Sequence, residues 1–270
     1  MLVSPGFLDI RDFTRLTATL AHHFAEMLNL EEYYATNYSK CNLTYSFWAS
    51  WKGLAYPTHS IQVIALPLQI FTFYIIWKYT PAAMKAMKWP LLINHLCCSV
   101  FDFSLCTLSA PYFFWHNVSF FGEGVFHWLG VSNGFQILTV FFSATLVPSS
   151  YIYVFESRSH LLSMNRWRIG KKWKRIIYHS AIFIVHNSVL LFGLQFPEDQ
   201  NGAKLKTLEF DPCPTREYFM NDVLVLFDDL FTIRFALRYY APMLATFMIF
   251  HASFPVICTV YYLFIGPTQL

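Results

Sequence analysis

The sequence predicts an all-α fold, a polytopic bundle of transmembrane helices. Three observations predict it. Of the 270 residues, 56% are hydrophobic, 20% aromatic and only 13% charged, whereas a soluble chain carries about 25% charge to keep its surface solvated. The charges are gathered in short clusters that separate long apolar runs. Several of those runs reach the roughly 20 residues needed to cross a bilayer.

In chain order, the first segment is not a cleaved signal peptide, because Asp9, Arg11 and Asp12 interrupt the place of its apolar region. Phe13, Leu16, Leu20, Phe24 and Leu28 recur at helical spacing and predict an amphipathic helix lying on the membrane. Residues 1–50 are therefore expected to form an amino-terminal segment, and residues 51–270 the bundle.

Four runs read as spans: about Leu54–Trp77, Trp89–Ala110, Gly124–Phe155 and Ile176–Phe196. The third is longer than the hydrocarbon core requires, so it tilts or pushes one end into water. A fifth, Phe219–Leu237, carries Asp222, Asp228, Asp229 and Arg234. A central Asp costs about 2.5–3.5 kcal/mol on insertion, which makes this span marginal unless it is packed inside the bundle. A sixth runs from about Tyr239 to Ile265. The count is about six spans of roughly bilayer length.

Charge sets the orientation. Lys78, Lys85 and Lys88 follow the first span without an acid, and Arg158, Arg166, Arg168, Lys171, Lys172, Lys174 and Arg175 follow the third against Glu156 alone. Phe113–Gly122 has neither Lys nor Arg, and Pro197–Glu217 is of mixed charge. The positive-inside rule then puts the amino terminus outside. N-x-S/T sequons at Asn37, Asn42 and Asn117 all fall on that outer side, as glycosylation candidates.

Of six cysteines, Cys97, Cys98, Cys106 and Cys258 fall within spans and read as small buried hydrophobes. Cys41 and Cys213 fall outside, where oxidation is permitted. A bond between them would tie the amino-terminal segment to the loop before the fifth span. Spacing alone leaves open whether they approach or stay free.

Nothing points to an enzyme, a metal or a cofactor. Zinc spacing, the G-x-S-x-G elbow, a Gly-rich phosphate loop and H-E-x-x-H are all missing from the sequence. His22–His23 and His179/His186 do not complete a coordination sphere. The net charge of +3 does not suggest nucleic acid. With so few polar groups, binding is favoured over chemistry.

Asp102, inside the second span, is either a structural residue bonded to a neighbouring helix or an ion- or proton-linked switch. Glu123 and His127, four apart at the outer start of the third span, are expected on one helix face where a ligand would arrive. With Gln136, deeper beside Asn133, they are the ligand-binding candidates; Asn133 and Gln136 equally fit interhelical hydrogen bonding. Pro57, Pro67, Pro148 and Pro255 allow kinks.

Tyr79-Thr80-Pro81-Ala82-Ala83-Met84-Lys85-Ala86-Met87-Lys88-Trp89 resembles the first intracellular loop of nematode serpentine receptors of class H (Srh), a family of seven-helix chemoreceptors. Leu91–His95 with Asp102, Ala110-Pro111-Tyr112, Phe155-Glu156-Ser157-Arg158, Phe196–Gln200 and Pro212-Cys213-Pro214 follow in the family's order. The resemblance covers about Cys41 to Asp229 and implies a heptahelical-receptor-like bundle. It places Glu156 and Arg158 at the acid–Arg pair of such receptors, and makes Arg166 and Arg168, within the basic run to Arg175, coupling candidates for a heterotrimeric G protein. Attraction to anionic membrane lipid explains the same charges. Two departures stand out. About 40 leading residues match nothing in the family, and the chain stops after its fifth or sixth helix, as a truncated receptor would.

The expected function is thus a chemosensory receptor for a small odorant-like molecule in the plasma membrane of sensory neurons, amino terminus outside. The alternatives are a small multi-span transporter or channel subunit, and a truncated receptor that does not signal. Asp102, Asp228 and Asp229 favour the transporter; the lack of an internal repeat counts against it.

Overall fold

The computed structural model describes residues 29–43, 46–188, 190–193 and 196–264. The expected amphipathic helix Phe13–Leu28 lies outside them. The described residues are mainly helical, and among them four helices are long and apolar enough to cross a membrane: Trp51–Tyr79, Ala82–Ser109, Asn133–Leu161 and Phe231–Phe264.

The first of these, α1 (Trp51–Tyr79), starts where Ser50 Oγ accepts a hydrogen bond from the Gly53 N–H at 3.3 Å. Capping satisfies one of the amides that a helix start leaves without a partner. A side chain at Gly53 would collide with the Phe47 carbonyl, 2.3 Å from the position of its Cβ, so only glycine lets the preceding turn fold back. The helix ends at Thr80-Pro81, because proline disfavours helical backbone in the residue before it. Ile61, Val63, Ile64 and Ile70 are exposed along it, a contiguous apolar surface suited to lipid.

A tight turn over Ala82–Met87 leads into α2 (Lys88–Phe103), which widens into a π-helical stretch over Ser104–Ser109. Ala110, left-handed at φ 42°, stops it. The chain then forms β1 (Pro111–Phe114) and β2 (Ser119–Gly122), antiparallel with Pro111 opposite Gly122. A third strand, β3 (Leu224–Val225), adds to β2, giving the order β1-β2-β3.

The third span corrects the expected start. Its helix, α3, is Asn133–Leu161, not a helix from Gly124. One helical turn, Val125–Trp128, is followed by Gly130 at φ 70°, which breaks the rod before Ser132 caps α3 through the Phe135 N–H at 3.4 Å. Next comes α4 (Lys172–Asn187), which stops earlier than expected; a short helical turn at Leu190–Gly193 follows it. The helix α5 (Gln200–Thr207) is capped by Asp199.

The expected fifth span is not one. Its first half supplies a helical turn at Glu217–Met220 and β3, and helix resumes beyond Asp229, where Leu230–Phe235 (α6) runs on into a π-helical widening. Its acids explain why. Asp229 Oδ2 accepts from both the Thr232 N–H and Thr232 Oγ1 at 2.7 Å and caps α6, while Asp228 pairs with Lys206 at 2.7 Å in an exposed position. These carboxylates remain in polar surroundings instead of crossing lipid. The wide turn Ala236–Tyr240 then joins α6 to α7 (Ala241–Phe264).

The hub is α3. It packs against α2, α4 and α7, while α1 rests on α2. One end of this bundle carries the sheet, α5 and the disulfide described below; the other carries the basic loops. These are called the capped end and the basic end.

Candidate functional site

At the capped end, aromatic side chains from three distant segments close over the bundle. Phe114, Phe121, Leu208, Tyr218 and Val223 form one buried cluster, and Phe120, Ile137 and Leu226 a second. Tyr218 is fully buried, its hydroxyl 2.6 Å from Thr207 Oγ1. Burial pushes its phenol up to about 12. Cys41 and Cys213 are joined as a disulfide with their Cα atoms 5.8 Å apart, and the Tyr33 hydroxyl donates to the Pro212 carbonyl at 3.0 Å beside it.

The ligand candidates do not converge as one helix face. Glu123 precedes the helical turn, so the four-residue spacing to His127 is not helical. The two remain electrostatic neighbours: burial raises the Glu123 carboxyl above its ordinary value, and His127 partly offsets the rise. Gln136 is fully buried. Its Oε1 accepts from Ser109 Oγ at 3.4 Å and its Nε2 donates to the Val131 carbonyl at 2.8 Å, while a Cβ on Gly122 would come within 2.0 Å of that Oε1. Gln136 thus ties the hub helix to the end of the α2 stretch and to its own preceding loop. What does gather beside His127 is a cavity of about 210 Å³, lined also by Phe121, Ser132, Asn133, Asn221 and Asp222. Asn133 donates to the Asp222 carbonyl and accepts from the Gly122 N–H at 3.2 Å, which fixes both loops around it.

The sequons separate. Asn37 and Asn42 are exposed, whereas Asn117, in the β1–β2 turn, is fully buried. A glycan there has no route to solvent, so the folded cap corrects that expectation.

In the middle, polar side chains pair between helices. Asp102 Oδ2 accepts from Gln69 Nε2 at 3.1 Å, and His95 Nε2 donates to the Gln69 carbonyl at 2.8 Å, which ties α1 to α2. Ser150 donates to Asn94 and Thr145 to Asn187, both at 3.0 Å. Gln69 escaped the sequence reading, although a lone amide in an apolar run is itself the signal.

At the basic end, Glu156 is buried on α3 and is held from α4. Arg175 donates from Nε at 3.0 Å and from Nη2 at 2.6 Å, and His179 Nε2 lies 3.1 Å away. Arg175 also reaches Ser157 Oγ at 3.1 Å. Arg158 is not the partner of Glu156. Residues two apart on a helix point in different directions, and Arg158 is exposed. The resemblance-based pairing is corrected to Glu156–Arg175, a residue first read only as part of the basic run. Arg166 and Arg168 are exposed in the following loop, Arg166 with its guanidinium 5.8 Å from the Trp167 ring.

A helical bundle with lipid-suited outer faces, an aromatic cap at one end and basic loops at the other defines an integral membrane protein. The sequence profile described as serpentine type 7TM GPCR chemoreceptor Srh matches residues 49–269. Serpentine receptor class H-72 of Caenorhabditis elegans is 32% identical over 203 residues, which cover 73% of this chain and 58% of that protein. No solved structure matches. The chain belongs to the Srh family of nematode serpentine chemoreceptors, a receptor family and not an enzyme family. It spans 58% of the length of that curated relative.

Proposed function

We propose that this chain acts as a plasma-membrane chemoreceptor of sensory neurons, with its amino terminus outside, that responds to a small odorant-like molecule and signals through a heterotrimeric G protein. The observation that carries the reading is the family match across residues 49–269. Residues 1–50 and the cap would form the outer face. The exposed Asn37 and Asn42 would carry glycans there, and the disulfide suits an oxidising compartment. His127, with Glu123 nearby, would contact the ligand at the rim of the hub helix. A ligand that prefers one packing of the helices would shift an existing equilibrium between two. The exposed Arg158, Arg166 and Arg168 would meet the G protein, and the Glu156–Arg175 clamp would hold the resting arrangement.

The test is an epitope placed after Met1, probed in intact and permeabilised cells, followed by Gα nucleotide exchange over a panel of volatile and water-soluble odorants. Surface labelling with odorant-dependent exchange supports the reading. Labelling only after permeabilisation, in protein shown to be at the surface, inverts the bundle and removes it.

A further inference from the structure

The basic end holds a cavity whose wall shares Glu156 and Arg168 with the receptor reading but to which that reading gives no occupant. It has a volume of about 230 Å³ and lies between the end of α3, the following loop and α7, with Tyr178 of α4 at its edge. Two ring pairs bridge it. Tyr178 meets His251 with centroids 6.0 Å apart, and Trp167 meets Phe254 edge-on at 6.3 Å.

Its charge is unbalanced. Arg168 and Glu156 line it, Arg168 makes no ion pair among the described residues, and Arg175, Glu156 and Arg168 all act electrostatically on His160 in the same wall. The Glu156 carboxylate answers Arg175, so one guanidinium is left over. His160 Nδ1 is buried there without a hydrogen-bond partner. Asn165 fixes the loop that carries Arg168: its Nδ2 donates to Ser159 Oγ at 2.8 Å and its Oδ1 accepts from the Trp167 N–H at 2.9 Å. These bonds, with the Arg168 N–H donating to the Asn165 carbonyl at 3.2 Å, fix the loop backbone from which Arg168 extends.

The volume is roughly eight water-sized units. That admits a phosphate and its glycerol, not acyl chains. Outside the cavity, exposed apolar side chains continue along both flanking helices, Ile177 and Ile184 on α4 and Ile257 and Val260 on α7.

We propose that this cavity binds the headgroup of an anionic glycerophospholipid from the leaflet at the basic end. The phosphate would meet Arg168 and His160, and the chains would lie against α4 and α7. A zwitterionic headgroup offers the same phosphate but brings its own cation beside the surplus guanidinium, whereas a headgroup with a net negative charge neutralises it.

Native mass spectrometry of the full chain, released from nanodiscs with equal phosphatidylserine and phosphatidylcholine, tests this in either membrane orientation. Selective retention of phosphatidylserine is expected. Arg168→Gln should lower it about fivefold, the weight of one basic group near a membrane surface. Arg166→Gln, beside the cavity but not lining it, should leave it unchanged. Cys258→Phe, which fills the cavity without altering charge, should lower retention as Arg168→Gln does. Equal retention of the two lipids overturns the proposal, as does equal loss in both arginine variants, which would mark diffuse attraction. Displacement by soluble glycerol phosphate would assign the site to free phosphate esters and overturn the lipid reading.

Discussion

The two ends of the bundle hold together by different means. At the capped end, Tyr218, Phe120, Phe121 and Val225 are almost wholly out of solvent, and a covalent bond joins residues 172 positions apart. At the basic end, the main tie between α3 and α4 is one carboxylate held by Arg175 and His179, with Arg175 still 24% exposed. Close-packed aromatic cores resist deformation. A polar clamp has a discrete alternative, because each partner can turn to water or to another ion. The difference makes the capped end the more rigid of the two and leaves the clamp, under the proposed function, as the element that would change state.

The comparison can be broken by substitution. Tyr218→Ala should be the most damaging, at about 3–5 kcal/mol for an emptied aromatic site, seen as a large fall in Tm in detergent. A comparable loss from a change at the basic end would sink the contrast. Cys41→Ala should cost about 2–5 kcal/mol, since the bond closes a long loop, and reductant should reproduce it in the parent protein. Glu156→Gln should cost about 1.5–3 kcal/mol, the weight of hydrogen bonds to a charged group. Its more telling readout is raised nucleotide exchange without ligand; unchanged basal exchange would make the clamp purely structural.

The smallest effect concerns pH. Burial raises the Glu123 carboxyl above its ordinary 4.5, with His127 opposing. The folded state therefore holds this proton more tightly than the unfolded chain. Its contribution is complete below pH 4.5 and is lost as the pH rises through the raised value. Glu123→Gln should flatten that part of the Tm–pH curve; an unaltered slope would assign the dependence to other groups.

The spans were legible because hydropathy over some 20 residues is a local quantity. Trp51–Tyr79, and α2 from Lys88 through its π-helical end at Ser109, fall within a few residues of expectation. The hairpin was missed although its signal is present: Pro111–Phe114 and Ser119–Gly122 are rich in the aromatic residues that strands favour, around a short turn. In a chain this apolar, such runs resemble pieces of span. The fifth span failed for the opposite reason. Three acids were weighed as a cost within lipid, whereas the fold uses Asp229 as a cap and Asp228 as a surface partner.

That this chain crosses a membrane, where most of its helices run and which loops carry positive charge could all be read from the sequence, because each follows from the summed solvation of neighbouring residues. The sequence also carried the family resemblance, since ordered motifs need no coordinates. It took the packed fold to show that Glu156 answers Arg175 instead of Arg158, that Gln136 bonds Ser109 between helices, and that Asn117 is hidden. Those outcomes depend on which side chains meet across helices, and meeting is fixed by packing, where distance along the chain no longer measures distance in space.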